Sequence, residues 1–161
     1  MIIEKEIVID KGIEEAWEVM GVQFTQIYKW ASSVNHSEGF GQDFNGASCT
    51  ERGCDTSLGG LKEKLIHFSP ADYSLSYDVT SGLSNMLKKA NNNWRLEQVN
   101  DRQTKLLMKL NLTLGGLATL LSPFVRMQMS RFTQQLVEEF KYYVETGEPH
   151  PRKQKAMQQV A

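Results

Sequence analysis

The stretch that decides the fold is "GLKEKLIHFSPADYSLSYDV", residues 60–79. It predicts two strands around a turn at residues 69–72, because proline and aspartate favour turns. One face of the second strand carries Tyr73, Leu75, Tyr77 and Val79. One face of the first strand carries Leu61, Glu63, Leu65 and His67. This first strand therefore decides whether a carboxylate lies inside the protein or in water.

The lysines of the first strand indicate which face is wet. Lys62 and Lys64 alternate with Glu63, and a shift of one residue would bury both of them. We therefore predict that Glu63 points inward together with Leu61 and Leu65.

Length and composition indicate one globular domain. The chain has 161 residues, of which 40% are hydrophobic and 23% charged, as in ordinary soluble proteins. A formal net charge of −1 gives no electrostatic footprint for a nucleic-acid partner. The sequence has neither an N-terminal apolar signal nor a run of about 20 apolar residues, so neither secretion nor a transmembrane segment is predicted.

Two cysteines bear on the cellular compartment. Cys49 and Cys54 are five residues apart on what reads as one strand, so they should face opposite ways and fail to bridge. Free thiols favour a reducing compartment, and we predict a cytoplasmic protein.

The order of elements is one strand, two short helices interrupted at Gly21, about six antiparallel strands and one long helix. Residues 34–114 alternate between strand patterns and turn signals. The last strand has one apolar face, formed by Leu106, Met108, Leu110, Leu112 and Leu114.

The long helix should begin at Ser122-Pro123 and end at Gly147. Its apolar stripe contains Phe124 or Val125, Met129, Phe132, Leu136, Phe140, and Tyr143 or Val144. Residues 148–161 contain two prolines and little periodicity, so we predict a single domain over residues 1–147 and an extended C-terminal tail.

These elements predict an α+β fold in which a curved seven-stranded antiparallel sheet wraps the long C-terminal helix. One helix cannot cover so large a sheet when the sheet is flat, so a curved sheet and the helix should enclose a pocket.

Four segments together resemble the Bet v 1-like or START-like (SRPBCC) superfamily, which has the helix-grip fold. The similarity covers residues 2–147 and is greatest to bacterial proteins of the polyketide cyclase/dehydrase type. The segments are "IDKGIEEAWEVM" (9–20), "GFGQDFNGAS" (39–48), "GGLKEKLIHFSPADYSLSYDV" (59–79) and "TLLSPFVRMQMSRFTQQLVEEFKYYVETG" (119–147).

The resemblance implies a cavity between the sheet and the C-terminal helix. Glu63 aligns with a carboxylate that faces the cavity in ligand-binding relatives, and Tyr77 aligns with a cavity aromatic. Many cyclase-like relatives carry an arginine in a Gly-x-x-Arg step where this chain has Cys49, in "GASC". Arg52 lies three residues further on, in the opposite strand phase, and should not replace that arginine.

We therefore predict binding of an apolar small molecule that is lipid-, isoprenoid- or polyketide-like. Glu63 is either a ligand contact or a carboxylate at a wet cavity mouth, and Trp30 either lines the cavity or packs in the core. The predicted ligand-binding residues are Glu63, Leu65, His67, Tyr73, Leu75, Tyr77, Met108, Leu110, Met129, Phe132, Leu136 and Trp30.

Two other functions stay open. One is a cyclase/dehydrase-like enzyme that uses Glu63 with Tyr77 or His67 as acid and base. The other is a protein-interaction module whose cavity is closed and smaller than about 300 Å³.

No cofactor is predicted. No metal is predicted either, because the histidines and cysteines have no known metal-ligand spacing. Residues 117–125 could form an entrance flap that transiently touches a membrane, although a helix start packed on the sheet is the favoured interpretation. The protein should be a monomer or a homodimer.

Overall fold

The computed structural model describes residues 1–160, and for Leu117 and Val160 it describes the backbone alone. Seven strands form one antiparallel sheet in the order β1-β7-β6-β5-β4-β3-β2. The strands are β1 (Ile2–Ile9), β2 (Val34–Phe40), β3 (Glu51–Thr56), β4 (Gly59–Ser69), β5 (Ser74–Ser81), β6 (Leu87–Asn100) and β7 (Gln103–Leu114). The predicted α+β class and the curved seven-stranded sheet are confirmed.

The two short helices after β1 form one broken segment. It begins with α1 (Ile13–Trp17), continues as a π-helical turn (Glu18–Val22) and ends as a 3-10 helix (Phe24–Lys29). Gly21 permits the π-helical turn to close on Trp17, because a Cβ atom at this position would lie 2.4 Å from the indole ring.

The long helix α2 (Ser122–Thr146) follows a 3-10 turn (Gly116–Thr119) and packs chiefly on β1. Gly147 ends α2 with φ at 74°, a left-handed conformation that glycine adopts without strain, as predicted. The buried face of α2 consists of Val125, Thr133, Leu136, Val137, Glu139, Phe140 and Val144.

The prediction that Phe132 belongs to the inward stripe is wrong. Its side chain is 40% exposed, because the buried face is centred on Thr133 and Leu136 and leaves Phe132 at its edge. Thr133 can be buried because its hydroxyl donates to the Met129 carbonyl oxygen within the helix, at 2.9 Å. A stripe chosen by hydrophobicity alone therefore passes over this residue.

The prediction of an extended C-terminal tail is also wrong, because Pro151–Val160 form a helix, α3. Pro151 suits a first helical position, where no backbone N–H is needed. Arg152 then contacts the carboxylates of Glu138 and Glu139 on α2, at 2.9 and 3.0 Å. Lys153 is buried and donates to the Val34 carbonyl oxygen at 2.6 Å. Ala161 lies outside the described residues.

Among the residues whose side chains are described, the interior contains two apolar clusters. The first core cluster lies under the short helices and the second half of α2, and includes Trp30, Leu65, Leu106 and Phe140. The second core cluster is smaller and consists of the buried residues Ile3, Ala90, Leu110 and Leu112. Several residues pack against the second cluster while only partly buried, namely Met1, Val79, Leu83, Leu87 and Met129. Partly buried side chains pack against both clusters, but only in the second cluster do they outnumber the buried ones, so we call this side the partly open half of the interior.

Candidate functional site: a buried polar cluster

Polar side chains gather on the inner faces of four neighbouring strands. The inner polar cluster consists of Arg52, Cys54, Glu63, Tyr77 and Asn92. The strand register brings them together, because Arg52 pairs with Glu63 across β3 and β4, and Tyr77 pairs with Asn92 across β5 and β6. The predicted inward orientation of Glu63 is what the structure has.

Arg52 and Glu63 form an ion pair inside the protein. Their exposed fractions are only 3% and 6%. Arg52 Nε donates to Glu63 Oε2 at 2.7 Å, and Arg52 Nη2 lies 2.5 Å from the same oxygen. Arg52 Nη1 donates to the Phe24 carbonyl oxygen at 2.5 Å. The guanidinium also lies over the Phe24 ring, 3.9 Å from its centroid, so its charge is well compensated.

The expectation that Arg52 lies in the wrong phase is therefore incorrect. Cys49 is not part of β3, which begins at Glu51, and Thr50 between them lies in a bend. Strand alternation counted through such a segment loses its phase. For the same reason Cys49 and Cys54 are both buried in the first core cluster instead of facing opposite ways, and both are free thiols.

Asn92 and Tyr77 extend the cluster toward the partly open half. Asn92 Nδ2 donates to the Tyr77 hydroxyl oxygen at 3.0 Å. Among the described residues, neither Asn92 Oδ1 nor Trp94 Nε1 has a hydrogen-bond partner, and both atoms are buried. A buried polar atom without a partner costs about 1–3 kcal/mol, so these two atoms are positions where a ligand or a water molecule would be stabilised.

Burial and charge change the titration of the cluster. Burial raises the pKa of the Cys54 thiol to about 12, and the neighbouring Glu63 carboxylate adds to this effect. Burial also raises the pKa of the Tyr77 phenol well above its ordinary value, again with a contribution from Glu63. Burial alone would lower the pKa of Arg52, but the charge of Glu63 outweighs it and the pKa is raised. Cys54 and Tyr77 are therefore neutral and Arg52 is charged at neutral pH.

Several predicted residues do face the interior, from the sheet, from α2 or, in the case of Trp30, from the end of the 3-10 helix. They are Leu65, Leu75, Tyr77, Met108, Leu110, Leu136 and Trp30, all buried, with Met129 partly buried. Trp30 packs against Trp94 and Phe140, with ring centroids 6.3 and 5.4 Å apart.

Two predicted residues lie elsewhere. The pairing of β4 with β5 shifts between Leu65 and His67, and this bulge turns His67 outward and Phe68 inward. His67 Nε2 is 3.0 Å from the Ser74 hydroxyl on the outer surface. Tyr73 precedes β5 with a φ of 48°, packs edge-on against Trp17, and donates its hydroxyl hydrogen to Glu14. Neither residue contacts the inner polar cluster.

The void beside the cluster is small. It has a volume of about 20 Å³ and is lined by Met20, Phe24, Ile27, Trp30, Arg52, Leu75, Tyr77 and Trp94. Such a volume suffices for one water molecule. Two larger grooves, of about 630 and 480 Å³, lie on the outer face of the sheet.

Comparison with solved structures identifies the fold. A START superfamily protein from Mycobacterium smegmatis superposes with a TM-score of 0.74 at 13% identity, over 89% of this chain and 97% of that chain. The ZhuI aromatase/cyclase from Streptomyces sp. R1128 gives 0.67 at 10% identity, over 93% and 99%. The protein Ara h 8.0201 gives 0.69 at 17% identity, over 89% and 97%. The chain therefore has the helix-grip fold of the START-like and Bet v 1-like (SRPBCC) proteins.

Other comparisons give no match, since neither a protein-family model nor a curated protein sequence matches this chain. Within residues 1–160, no helix is both long and apolar enough to cross a membrane. The same part of the chain holds no group of three or more His, Cys, Asp or Glu side chains that could bind a metal ion.

Proposed function

We propose that this protein binds a small, mainly apolar molecule between the sheet and α2, next to the second core cluster. The observation that carries this proposal is the inner polar cluster, which lies where the two apolar clusters meet. On β6, Ala90 belongs to the second cluster and Trp94 to the first, with Asn92 between them. A pocket lined by apolar side chains with a few convergent polar groups is the usual form of a small-molecule site.

The polar end of the ligand is assigned to Asn92. Its Oδ1 atom is buried and unbonded, so a ligand hydroxyl or amide N–H would gain a hydrogen bond there without breaking one in the protein. Arg52 and Glu63 already bind each other across β3 and β4, so their charges are paired without a ligand. The apolar body of the ligand would contact Leu110, Leu112 and the partly buried Met129.

Ligand entry requires the partly open half to widen, because typical ligand pockets measure roughly 300–1,000 Å³. Leu83, Leu87 and Met129 are only partly buried, and rotamer changes of these side chains would supply space. The first half of α2 would also have to move away from β1, where Arg126 Nη1 donates to the Ile2 carbonyl oxygen at 3.2 Å and Lys5 Nζ donates to Ser130 Oγ at 2.9 Å.

The geometry favours binding over acid–base catalysis. His67 lies on the outer surface, and the Glu63 carboxylate is occupied by Arg52. The likeness to an aromatase/cyclase is a likeness of fold. We also propose that the protein is located in the cytoplasm, which its two free, buried cysteines support.

A second candidate is a protein-interaction module with a closed interior, which the void of about 20 Å³ favours. Native mass spectrometry of the purified protein, followed by denaturing extraction, separates the two. A bound apolar molecule supports the ligand-binding proposal. An empty protein that also fails to take up the probe 8-anilinonaphthalene-1-sulfonate in its interior supports the interaction module.

A matched pair of variants tests the role of Asn92. Asn92→Leu should weaken ligand retention by about tenfold, the equivalent of one hydrogen bond to a buried group. Asn93→Leu is the control, because Asn93 is the next residue on β6 and bonds to Asn91 and Lys109 on the outer face. Equal retention by both variants would remove Asn92 from the site.

A further inference from the structure

Large apolar side chains are exposed around the start of α2. Leu120, Leu121 and Phe124 have exposed fractions of 79%, 53% and 55%, and Met127 follows at 42%. Phe124 and Met127 are three residues apart on α2 and so lie on one side of the helix. We call these four residues the apolar patch. They cannot be explained as core residues, and clustered exposed apolar side chains mark an interaction surface.

The segment that leads into the apolar patch contacts the loop between β5 and β6. The Gly115 N–H donates to the Met86 carbonyl oxygen at 3.0 Å, so the two segments touch. Met86 is itself 48% exposed. The stem of Lys88 lies against Gly115, because a Cβ atom on this glycine would be 3.0 Å from the lysine side chain. The exposed apolar side chains and the basic residue Lys88 thus lie at the same end of the molecule.

The charge of the two segments at this end differs from that of the whole chain. Residues 79–94 and 115–137 contain no aspartate or glutamate, although the chain has 19 acidic and 18 basic residues. The same two segments carry Lys88, Lys89, Arg126 and Arg131, all exposed. Apolar side chains with basic residues around them match the surface of a bilayer that contains anionic lipids.

We propose that the apolar patch docks on the surface of an anionic lipid bilayer. Leu120, Leu121 and Phe124 would enter the headgroup region, and Lys88 and Lys89 would attract the lipid phosphates. The second core cluster, which Leu87 and Met129 join, is close to this surface, so an apolar molecule could pass between bilayer and protein. Docking itself does not depend on the proposed ligand, and the two can be tested separately.

Vesicle co-sedimentation tests the docking. The protein should sediment with vesicles of phosphatidylcholine and phosphatidylglycerol in equal parts, less with phosphatidylcholine alone, and less at high salt. The Leu120→Ser/Phe124→Ser double variant should lose at least about tenfold in affinity. Lys88→Gln/Lys89→Gln should lose about fivefold per lysine. Phe40→Ser is the matched control, because Phe40 is also exposed, at 45%, and lies on β2.

A second measurement does not depend on removing apolar side chains. A nitrobenzoxadiazole dye on Leu120→Cys should shift its emission to the blue when anionic vesicles are added, and the same dye on Val99→Cys should not. The native cysteines are buried and should stay unlabelled. Failure of the protein to sediment, or equal sedimentation of the Leu120→Ser/Phe124→Ser and Phe40→Ser variants, would overturn the proposal. A dimer that these serine substitutions dissociate, without vesicle binding, would reassign the apolar patch to self-association.

Discussion

At the scale of single residues, Arg52 and Glu63 depend on each other. Removing one partner leaves the other charged and buried, and this costs about 3–5 kcal/mol. We expect Arg52→Met to lower the free energy of unfolding by that amount, because Glu63 would keep only its contact with Cys54 Sγ, at 3.6 Å. Urea denaturation followed by circular dichroism measures the loss.

Two variants complete this experiment. The double variant Arg52→Met/Glu63→Leu should recover most of the lost stability, because no buried charge remains. Lys109→Met is the surface control, since Lys109 and Glu4 form an exposed pair at 3.2 Å that should contribute less than about 1 kcal/mol. A loss below about 1 kcal/mol in Arg52→Met would mean that water reaches Glu63.

Cys54 gives a pH dependence that can be calculated in advance. Its folded-state pKa is about 12, mainly because of burial, whereas an unfolded cysteine titrates near 8.5. The folded state therefore keeps the thiol proton to a higher pH than the unfolded chain does. The contribution of the neutral Cys54 thiol to the free energy of unfolding is present in full below about pH 8.5 and is lost as the pH rises towards the folded-state pKa.

We expect the stability of the wild type to fall more steeply above about pH 8.5 than that of Cys54→Ala. Between about pH 8.5 and 10, the difference in the free energy of unfolding between the wild type and Cys54→Ala should decrease by about 1.5–2 kcal/mol. Urea denaturation at a series of pH values measures this difference. Other titrating groups are present in both proteins, so their effects on stability cancel in the comparison. Parallel stability curves would show that Cys54 ionises in the folded state as it does in the unfolded chain.

At the scale of elements, the predictability of the site follows strand regularity. Strand β4 keeps its regular alternation of inward and outward side chains up to Leu65. The inward position of Glu63 could therefore be predicted from Lys62 and Lys64 alone. The bulge before His67 reverses the phase, and no residue type in the sequence marks it. Arg52 could have been found only from its register with Glu63, which the irregular segment before β3 conceals.

Helix α3 shows a similar limit at the C-terminus. Its apolar content is too low to indicate a helix, and its attachment to α2 is polar. Arg152 bonds to Glu138, Glu139 and the Gln135 carbonyl oxygen. Long-range ion pairs of this kind leave no periodic signal in a sequence.

We expect Arg152→Ala to release α3 and to lower stability by about 2 kcal/mol, because Glu139 is buried and would keep only its bonds to Ser32. Hydrogen exchange should then show faster exchange of the amides in residues 152–160. Lys155→Ala is the control on the same helix, because Lys155 is exposed. Unchanged exchange in Arg152→Ala would mean that Lys153 and its bond to Val34 suffice to hold the helix.

At the scale of the whole molecule, the division of the interior into two apolar clusters links packing to the proposed function. The pattern of β7 predicted one continuous apolar face from Leu106 to Leu114. In the structure that face is divided between the two clusters. Leu106 and Met108 belong to the first, and Leu110 and Leu112 belong to the second. The division arises from Asn92 on the neighbouring strand β6 and from the limited reach of α2, neither of which the pattern of one strand can reveal.

This division predicts different outcomes for two equal substitutions on β7. Leu106 is fully buried in the first cluster, so Leu106→Ala should leave a rigid cavity and cost about 4–5 kcal/mol. Leu112 lies beside the partly buried Leu87 and Met129, which can move inward, so Leu112→Ala should cost only about 2–3 kcal/mol. Urea denaturation measures both values.

The same pair of variants tests where the ligand binds. Leu112→Ala should change the affinity for 8-anilinonaphthalene-1-sulfonate, because it alters the half of the interior that we assign to the ligand. Leu106→Ala should leave that affinity unchanged once the folded fractions are equalised. If Leu106→Ala changes probe binding and Leu112→Ala does not, the ligand space belongs to the first cluster, beside Trp30 and Phe140, and the short helices would have to open in place of α2.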